Sequence, residues 1–237
     1  MSPRPKLRVN ALADLEQILA SDTEIYPTST PTTLETIRKW YKFHPEFAMV
    51  YENNGIILGS CCVVALTRNG WDKLVKGAVS EAQITEDLLF RNGQDSELGL
   101  HIYHMDRDSV LWPQEVGRFG LIILEDLGQI IQSFDASISV IGFSGLAVSQ
   151  SGIRLFRNLY GCDENKFICT EHVFKSTGGK LLVVDCATDQ DVKEFLALSK
   201  GEYSLVTRCK MLSVTPSTNA DSIVWRYLNP KADTISI

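Results

Sequence analysis

Three observations predict that this chain has an α/β (α+β) fold. The first is a strand, helix and strand in sequence over residues 137–176, opening with a continuous apolar run from Ile138 to Val148. The second is a pair of extended runs, 47–52 and 56–66, joined by Asn54-Gly55, a dipeptide typical of tight hairpins. The third is the presence of segments with apolar residues at helical spacing before and after that hairpin.

The first sixty residues alternate between strands and helices. Residues 7–11 predict a short strand, and residues 12–21 predict a helix with an apolar stripe. A loop rich in Pro, Thr and Ser follows, and Thr32 and Thr33 are suited to cap the next helix, which we expect to end before Pro45. The run 56–66 is almost entirely apolar and therefore predicts a central strand.

The segment 71–90 predicts one or two amphipathic helices broken near Gly77, with Ser80 and Thr85 as caps. Two placements are open: it borders a substrate cleft, or it packs on the back of the sheet.

Residues 97–106 predict a fourth strand. Leu98, Leu100 and Ile102 would lie on one of its faces, and Glu97, His101 and Tyr103 on the other. A bulge would change the face that His104 takes. Residues 116–134 predict a helix, and 167–175 and 181–184 predict a final antiparallel pair of strands. We further expect a helix at 189–199 and extended runs at 203–214 and 223–228.

Composition narrows the class of protein. The 237 residues are 44% hydrophobic and 22% charged, which is typical of a globular chain with one sizeable core. A net charge of −6 argues against nucleic acid as a partner and favours a cationic or amine-bearing substrate. The longest apolar runs fall short of the roughly 18 residues of a membrane helix, and the first fifteen residues do not predict a secretory signal.

The six cysteines are scattered and form no CxxC pair, which argues against a zinc site. Cysteines of this kind are typical of reduced thiols in a cytoplasmic protein. They are Cys61, Cys62, Cys162, Cys169, Cys186 and Cys209.

The region after the long apolar run resembles the closing half of the GNAT (Gcn5-related N-acetyltransferase) fold. That family often has Asn, a small residue three positions on, Leu-Tyr, and then Leu-Gly-Phe. The matching places here are Ser149, Gly152, Leu155-Phe156 and Leu159-Tyr160-Gly161. The spacing agrees, but Ser149 replaces the Asn, and Phe156 replaces the Tyr that commonly protonates the leaving thiolate.

The resemblance implies a mixed, mostly antiparallel sheet with a central parallel strand pair and flanking helices, plus a C-terminal extension. It implies a GNAT-like acyltransferase domain at 1–186, with a helical insertion at 70–92. Residues 187–237 form the extension, or belong to the same domain. For that tail we weigh three roles: adding strands to a sheet edge, forming a homodimer contact, or covering the cleft.

The resemblance also implies where acetyl-CoA binds. In GNAT proteins its pyrophosphate rests at the start of the helix after the fourth strand, and the signature there is Gln or Arg, two residues, Gly, one residue, and Gly or Ala. Residues 114–120 read QEVGRFG and can be aligned with this signature in two ways, each of which lacks one of the two Gly residues. Arg118 would compensate for the missing Gly by pairing with a phosphate. The implied cofactor contacts are Tyr103, Met105, Gly117, Arg118, Phe119, Gly120, Leu121, Ser149 and Phe156.

Amine acetylation requires a base for the acceptor ammonium, and the candidates are Glu97, His101 and His104 on the predicted fourth strand. Two His residues three positions apart fall on opposite faces of a regular strand, so without a bulge only one would face the cleft. They lack a third ligand, which argues against a metal site. Tyr160 is the candidate acid in place of Phe156, with core packing as the alternative role for its ring.

These observations predict an N-acetyltransferase that moves acetyl from acetyl-CoA directly to an amine on a small molecule or a peptide. Two alternatives stay open. One is a non-catalytic GNAT-like domain that binds CoA or a protein partner. The other is a GNAT-fold transferase that uses another acyl donor.

Overall fold

A computed structural model describes residues 4–10, 12–25, 32–113, 119–147, 168–174, 180–185, 190–193 and 223–227. The helices in this part of the chain are α1 (Leu12–Ile25), α2 (Leu34–Trp40), α3 (Arg68–Val75) and α4 (Phe119–Gln132). The strands are β1 (Lys6–Val9), β2 (Ala48–Asn53), β3 (Ile56–Leu66), β4 (Glu97–Arg107), β5 (Ser139–Ala147), β6 (Ile168–Phe174), β7 (Lys180–Asp185) and β8 (Ile223–Tyr227).

All eight strands form one sheet in the order β1-β2-β3-β4-β5-β7-β6-β8. The pairing is antiparallel everywhere except between β4 and β5, which run parallel at the centre. The described sheet therefore has the mixed, mostly antiparallel arrangement with one central parallel pair that the GNAT resemblance implies, and this expectation is confirmed.

The hairpin between β2 and β3 follows directly from its turn residues. Asn54 and Gly55 both adopt positive φ, 51° and 79°, which these two residue types accept at low cost. From Leu58 to its end, β3 is buried, as its apolar sequence predicts. The hairpin thus places β3 in the interior of the protein.

Helices α1, α2 and α3 cover one face of β4. Asp22 of α1 and Trp40 of α2 both contact Tyr103, and the ring of Trp71 in α3 leaves no room for a Cβ at Gly99. We call this side of the sheet the α1–α3 face. Thr33 caps α2 by accepting a hydrogen bond from the Thr36 backbone N–H at 3.2 Å, in agreement with the sequence analysis.

Helix α4 covers the opposite face. The Phe119 ring lies so close to Gly59 on β3 that a Cβ there would come within 3.0 Å of its Cζ. Further along α4, Asp126 accepts a 2.9 Å hydrogen bond from the buried Tyr51 hydroxyl and pairs with Arg4 at 2.7 Å. The start and the middle of α4 are therefore both fixed to the sheet.

The segment between β3 and β4 contains α3 followed by two short 3-10 turns, Glu81–Gln83 and Glu86–Leu88, rather than a second helix. The predicted break occurs at Gly77, where φ is 69°. The segment lies on the α1–α3 face, because Trp40 of α2 donates to the Ile84 carbonyl at 3.4 Å. The segment therefore packs beside α2.

The C-terminal part of the sheet is an antiparallel β6–β7 pair, as predicted, with β8 added to its edge through pairing with β6. Residues 190–193 are helical, within the helix predicted at 189–199. The helix predicted at 149–161 and the extended run predicted at 203–214 lie outside the described residues.

Candidate functional site

The central feature of the site is the point at which β4 and β5 separate. Their parallel pairing starts at Glu97 and Ser139 and ends at Ile102 and Gly145. Beyond that point β4 continues to Arg107 paired with β3, and β5 continues to Ala147 paired with β7. Among the described residues no β4 residue after Ile102 pairs with β5. We call the region after the end of this pairing, residues 103–107 of β4 and 146–147 of β5, the fork.

A β-bulge lies immediately at the fork. On β3 the consecutive residues Cys62 and Val63 pair with His104 and Ile102, so Tyr103 is the extra residue on β4. The bulge reverses the alternation of faces along the strand. His101 and His104 pair with Val64 and Cys62, which are two residues apart, and both histidines therefore lie on the α1–α3 face.

Asp22 of α1 contacts Tyr103 and His104, the two β4 residues that follow the last β4–β5 pair. Its carboxylate accepts a 2.6 Å hydrogen bond from the Tyr103 hydroxyl and lies 3.2 Å from His104 Nδ1. All three residues are buried. Burial, together with the negative charge of Asp22, raises the pKa of Tyr103 above its ordinary value, so this phenol stays protonated and acts as a donor.

His101 stands one residue behind the fork and contacts a polar group with each ring nitrogen. Nδ1 lies 2.9 Å from the Ser144 hydroxyl on β5, and Nε2 lies 2.7 Å from a carboxylate oxygen of Glu81 in the segment between β3 and β4. His101 and Ser144 are fully buried. The ring thus connects both parallel strands with the inserted segment.

Glu97, the third candidate base, lies at the other end of β4. It is five positions before Ile102, about 17 Å along an extended strand. Its carboxylate pairs with Arg68 at 2.6 Å, and this hydrogen bond lowers the pKa of Glu97. The structure therefore does not bring Glu97 to the fork.

The predicted cofactor contacts among the described residues form two groups, one on β4 and one in the first turn of α4. Met105 lies on β4 beyond the fork and is partly buried. Phe119, Gly120 and Leu121 form the first turn of α4, where the Phe119 ring packs edge-on against Tyr51 at 5.2 Å and against Trp112 at 4.7 Å. Because that ring belongs to the core, a contact of Phe119 with CoA would involve its backbone.

Five further predicted site residues lie outside the described part of the chain and stay predictions. They are Gly117, Arg118, Ser149, Phe156 and Tyr160.

Cys61 and Cys62 are described thiols near the site, and they pair with Met105 and His104 of β4. Cys61 and Cys62 are buried, and burial raises the pKa of Cys62 to about 12 and the pKa of Cys61 well above its ordinary value. Both thiols are protonated at neutral pH, which argues against an acyl-cysteine intermediate at these residues.

Within the described residues, no cluster of three or more His, Cys, Asp or Glu side chains could bind a metal ion. No helix in that part of the chain is both long and apolar enough to cross a membrane.

Three residues that contact Tyr103, His101 or His104 at the site were not predicted from the sequence. They are Asp22, Glu81 and Ser144. Two of them had a recognisable signal. Asp22 is an acid near the C-terminus of α1, where the helix dipole disfavours negative charge. Ser144 is a hydroxyl within a buried apolar strand, where it needs a partner. Glu81 begins a 3-10 turn and gave no such signal.

Comparison with known proteins finds structural likenesses only. No protein-family model and no curated protein sequence matches the chain. Ard1 from Thermoplasma volcanium is similar at 13% identity and TM-score 0.45, covering 77% of this chain and 98% of its own.

Two further structures have similar values. Arabidopsis thaliana Naa50 in complex with the bisubstrate analogue CoA-Ac-MVNAL has 10% identity and TM-score 0.46, and covers 76% of this chain and 98% of its own. The GNAT-like decarboxylase GphF in complex with isobutyryl-CoA has 12% identity and TM-score 0.47, and covers 76% of this chain and 98% of its own. The assignment of a GNAT-like fold rests on the order of the described strands and on the one parallel pair among them, β4 and β5.

Proposed function

We propose that this protein is an acyl-CoA-dependent N-acetyltransferase that transfers acetyl from acetyl-CoA directly to an amine. The observation that supports this most is the fork, where two parallel central strands separate after Ile102 and Gly145. A thioester arm lying between the strands would meet backbone groups that no longer pair across the gap. A backbone N–H of β4 would then stabilise the oxyanion that forms on the thioester carbonyl.

The pyrophosphate of CoA would bind at the first turn of α4, where the positive end of the helix dipole attracts an anion. Packing of Phe119 against Gly59 fixes this turn relative to β3. Arg118, immediately before it in sequence, is our candidate for a direct phosphate contact.

In the transfer step the amine nitrogen attacks the thioester carbonyl carbon, the C–S bond breaks, and CoA leaves as a thiolate. The nitrogen gives up its second proton as the amide forms, and this proton balances the one that the thiolate receives. The acceptor must first lose a proton, and we favour His104 as the base. It follows the last β4–β5 pair and contacts Asp22, which accepts from Nδ1 and so leaves the lone pair on Nε2. Tyr160 stays our candidate for the acid that protonates the thiolate.

The residues around the base favour a cationic acceptor. Two carboxylates, Asp22 and Glu81, contact the α1–α3 face of β4 next to the fork. An ammonium group on a small molecule or a peptide would be attracted to this side of the sheet. Acetyl is the donor group we propose, and a longer acyl group is an outcome of the donor panel described below.

A second candidate function is a non-catalytic domain that binds CoA or a protein partner. Phe156 in place of the usual Tyr and the incomplete glycine signature at 114–120 favour it. This alternative predicts CoA binding without turnover, or no CoA binding.

Calorimetry with CoA followed by a turnover assay separates these functions. We expect CoA to bind, and acetyl-CoA with a panel of amines and peptide N-termini to release free thiol. An absence of heat at millimolar CoA would overturn the enzyme assignment. Binding without thiol release from acetyl-, propionyl- or longer acyl-CoA would favour the non-catalytic alternative.

A further inference from the structure

A carboxylate, an imidazole and a hydroxyl form a continuous hydrogen-bonded chain across three elements. Glu81 starts the 3-10 turn in the inserted segment, His101 lies on β4, and Ser144 lies on β5. The two contacts measure 2.7 Å and 2.9 Å. The Glu81 side chain is 20% exposed and that of His101 is fully buried, so the chain leads from the surface to the interior of the sheet.

The direction of this chain follows from the groups themselves. An ionised carboxylate can only accept, so His101 Nε2 carries a proton and donates it to Glu81. In the neutral form of the ring, Nδ1 is then an acceptor, and the Ser144 hydroxyl donates to it. Glu81 therefore determines the tautomer of His101, and through that ring it determines the orientation of the Ser144 hydroxyl.

The hydrogen-bonded chain from Glu81 through His101 to Ser144 lies next to the last β4–β5 pair. His101 and Ser144 face each other across β4 and β5, and the next pair, Ile102 and Gly145, is the last before the strands separate. The side-chain bond from His101 to Ser144 thus joins the two parallel strands one position behind the place where we put the thioester.

Anchoring the inserted segment does not require Glu81. Trp71 packs on Gly99, and the Ile84 carbonyl accepts from Trp40, so the segment is attached to the sheet on both sides of Glu81. Burying an imidazole and a hydroxyl is costly unless both are hydrogen-bonded, and apolar residues of similar volume would stabilise the core as well or better. A role in the site accounts for the polar chain better than a role in stability does.

We propose that Glu81 and His101 are positioning residues of the transfer site. Acting through Ser144, they hold the inner end of the fork in the geometry that places the thioester carbonyl against the acceptor. The inserted segment is then a working part of the site. This inference rests on the proposed function, since it assigns the chain to acyl transfer.

The main test is Glu81→Gln, which keeps the shape and an acceptor oxygen but removes the charge. We expect kcat to fall about tenfold, as misplacement of reacting groups does, while the Kd for CoA and the KM for acetyl-CoA change little. The matched control is Glu86→Gln in the neighbouring 3-10 turn, where the carboxylate pairs with Lys42 and Arg91. Ser144→Ala should reproduce the loss of kcat.

A second measurement does not depend on turnover. The ¹⁵N shifts of the His101 ring in the substrate-free protein should show the proton on Nε2, and Glu81→Gln should reduce the population of that tautomer. A proton on Nδ1 in the unmodified protein would overturn the inference, and so would a Glu81→Gln variant with unchanged kcat. Failure of the unmodified protein to bind CoA would instead overturn the proposed function.

Discussion

The two halves of β4 differ although they belong to one strand. Residues 97–102 pair with β5, and 99–102 of them also pair with β3, whereas 104–107, after the bulged Tyr103, pair with β3 alone among the described residues. His101 is in the first half and His104 in the second. Both face the same side of the sheet, both are buried, and each contacts a carboxylate.

Burial and the face of the sheet on which a histidine lies therefore do not determine its role here. His101 has Ser144 of the adjacent parallel strand as a partner and therefore connects the two strands. His104 follows the separation of the strands and is oriented by Asp22 from the helical layer. Under the proposed function, the base belongs to the open half of β4 and the positioning residues belong to the paired half.

The largest expected effect is at His104. Because a general base contributes about 10²–10⁴ in rate, we expect His104→Gln to lower kcat by at least about 100-fold. The Kd for CoA should stay close to that of the unmodified protein. Steady-state thiol release and calorimetry measure the two quantities, and near-UV circular dichroism confirms folding.

The comparison variant is His101→Gln, which removes the imidazole from the hydrogen-bonded chain between Glu81 and Ser144. We expect a smaller loss of kcat than for His104→Gln, with a clearer loss of thermal stability. The reverse order of the two rates would contradict our division of β4 into a positioning half and a reactive half.

The paired half of β4 should respond to volume rather than to charge. A methyl group at Gly99 meets the ring of Trp71, so Gly99→Ala is expected to destabilise the protein by about 1–3 kcal/mol. Each kcal/mol should lower Tm by about 2–4 °C in a chain of this size. Differential scanning calorimetry measures the change.

A double-mutant cycle provides the control for Gly99→Ala. In a Trp71→Leu background the smaller side chain leaves space at Gly99, so the added methyl group should cost less than in the unmodified protein. An equal cost in both backgrounds would mean that Trp71 is not the source of the strain.

The paired half of β4 could be predicted from the sequence, and the open half could not. The apolar residues Leu98, Leu100 and Ile102 predicted the strand and its faces, because alternate residues of a strand point to the same face. The bulge at Tyr103 has no comparable signature, although the sequence analysis recognised that a bulge would change the face of His104.

Side-chain partners at the site were harder to predict, because they come from distant positions in the chain. Asp22 is 82 residues from His104, and Ser144 is 43 residues from His101. Hydrophobic periodicity predicts which face of an element is buried, but it does not determine which polar groups meet on that face. The hairpin at Asn54-Gly55 was predictable because its signal is local.

A moderate effect is expected on the α4 side of the fork. If Arg118 pairs with a CoA phosphate, Arg118→Ala should weaken CoA binding by about tenfold, in line with the loss of one charge-assisted hydrogen bond. The control is Arg91→Ala, because that guanidinium stacks on the Phe43 ring at 4.8 Å and pairs with Glu86 at 3.7 Å. Calorimetry that gives the same Kd for Arg118→Ala and the unmodified protein would remove Arg118 from the site.

The smallest effect is expected at Glu97, at the closed end of β4. Its hydrogen bond with Arg68 lowers its pKa, so the pair stabilises the folded protein above the ordinary carboxyl pKa, and this contribution is lost as the pH falls through the lowered value. Both side chains are largely exposed, so Glu97→Gln should cost about 0.5 kcal/mol or less at pH 7. In urea unfolding the difference from the unmodified protein should shrink as the pH falls below the ordinary carboxyl pKa of about 4.3, and it should vanish below the lowered pKa of Glu97.

The same Glu97→Gln variant also tests whether the start of β4 takes part in acetyl transfer. Acetyl transfer should stay at the rate of the unmodified protein, because a carboxylate with a lowered pKa, about 17 Å from the fork, cannot take a proton from an acceptor bound there. A large loss of kcat in a folded Glu97→Gln variant would place the base at the start of β4. The separation of β4 from β5 would then have no part in the chemistry.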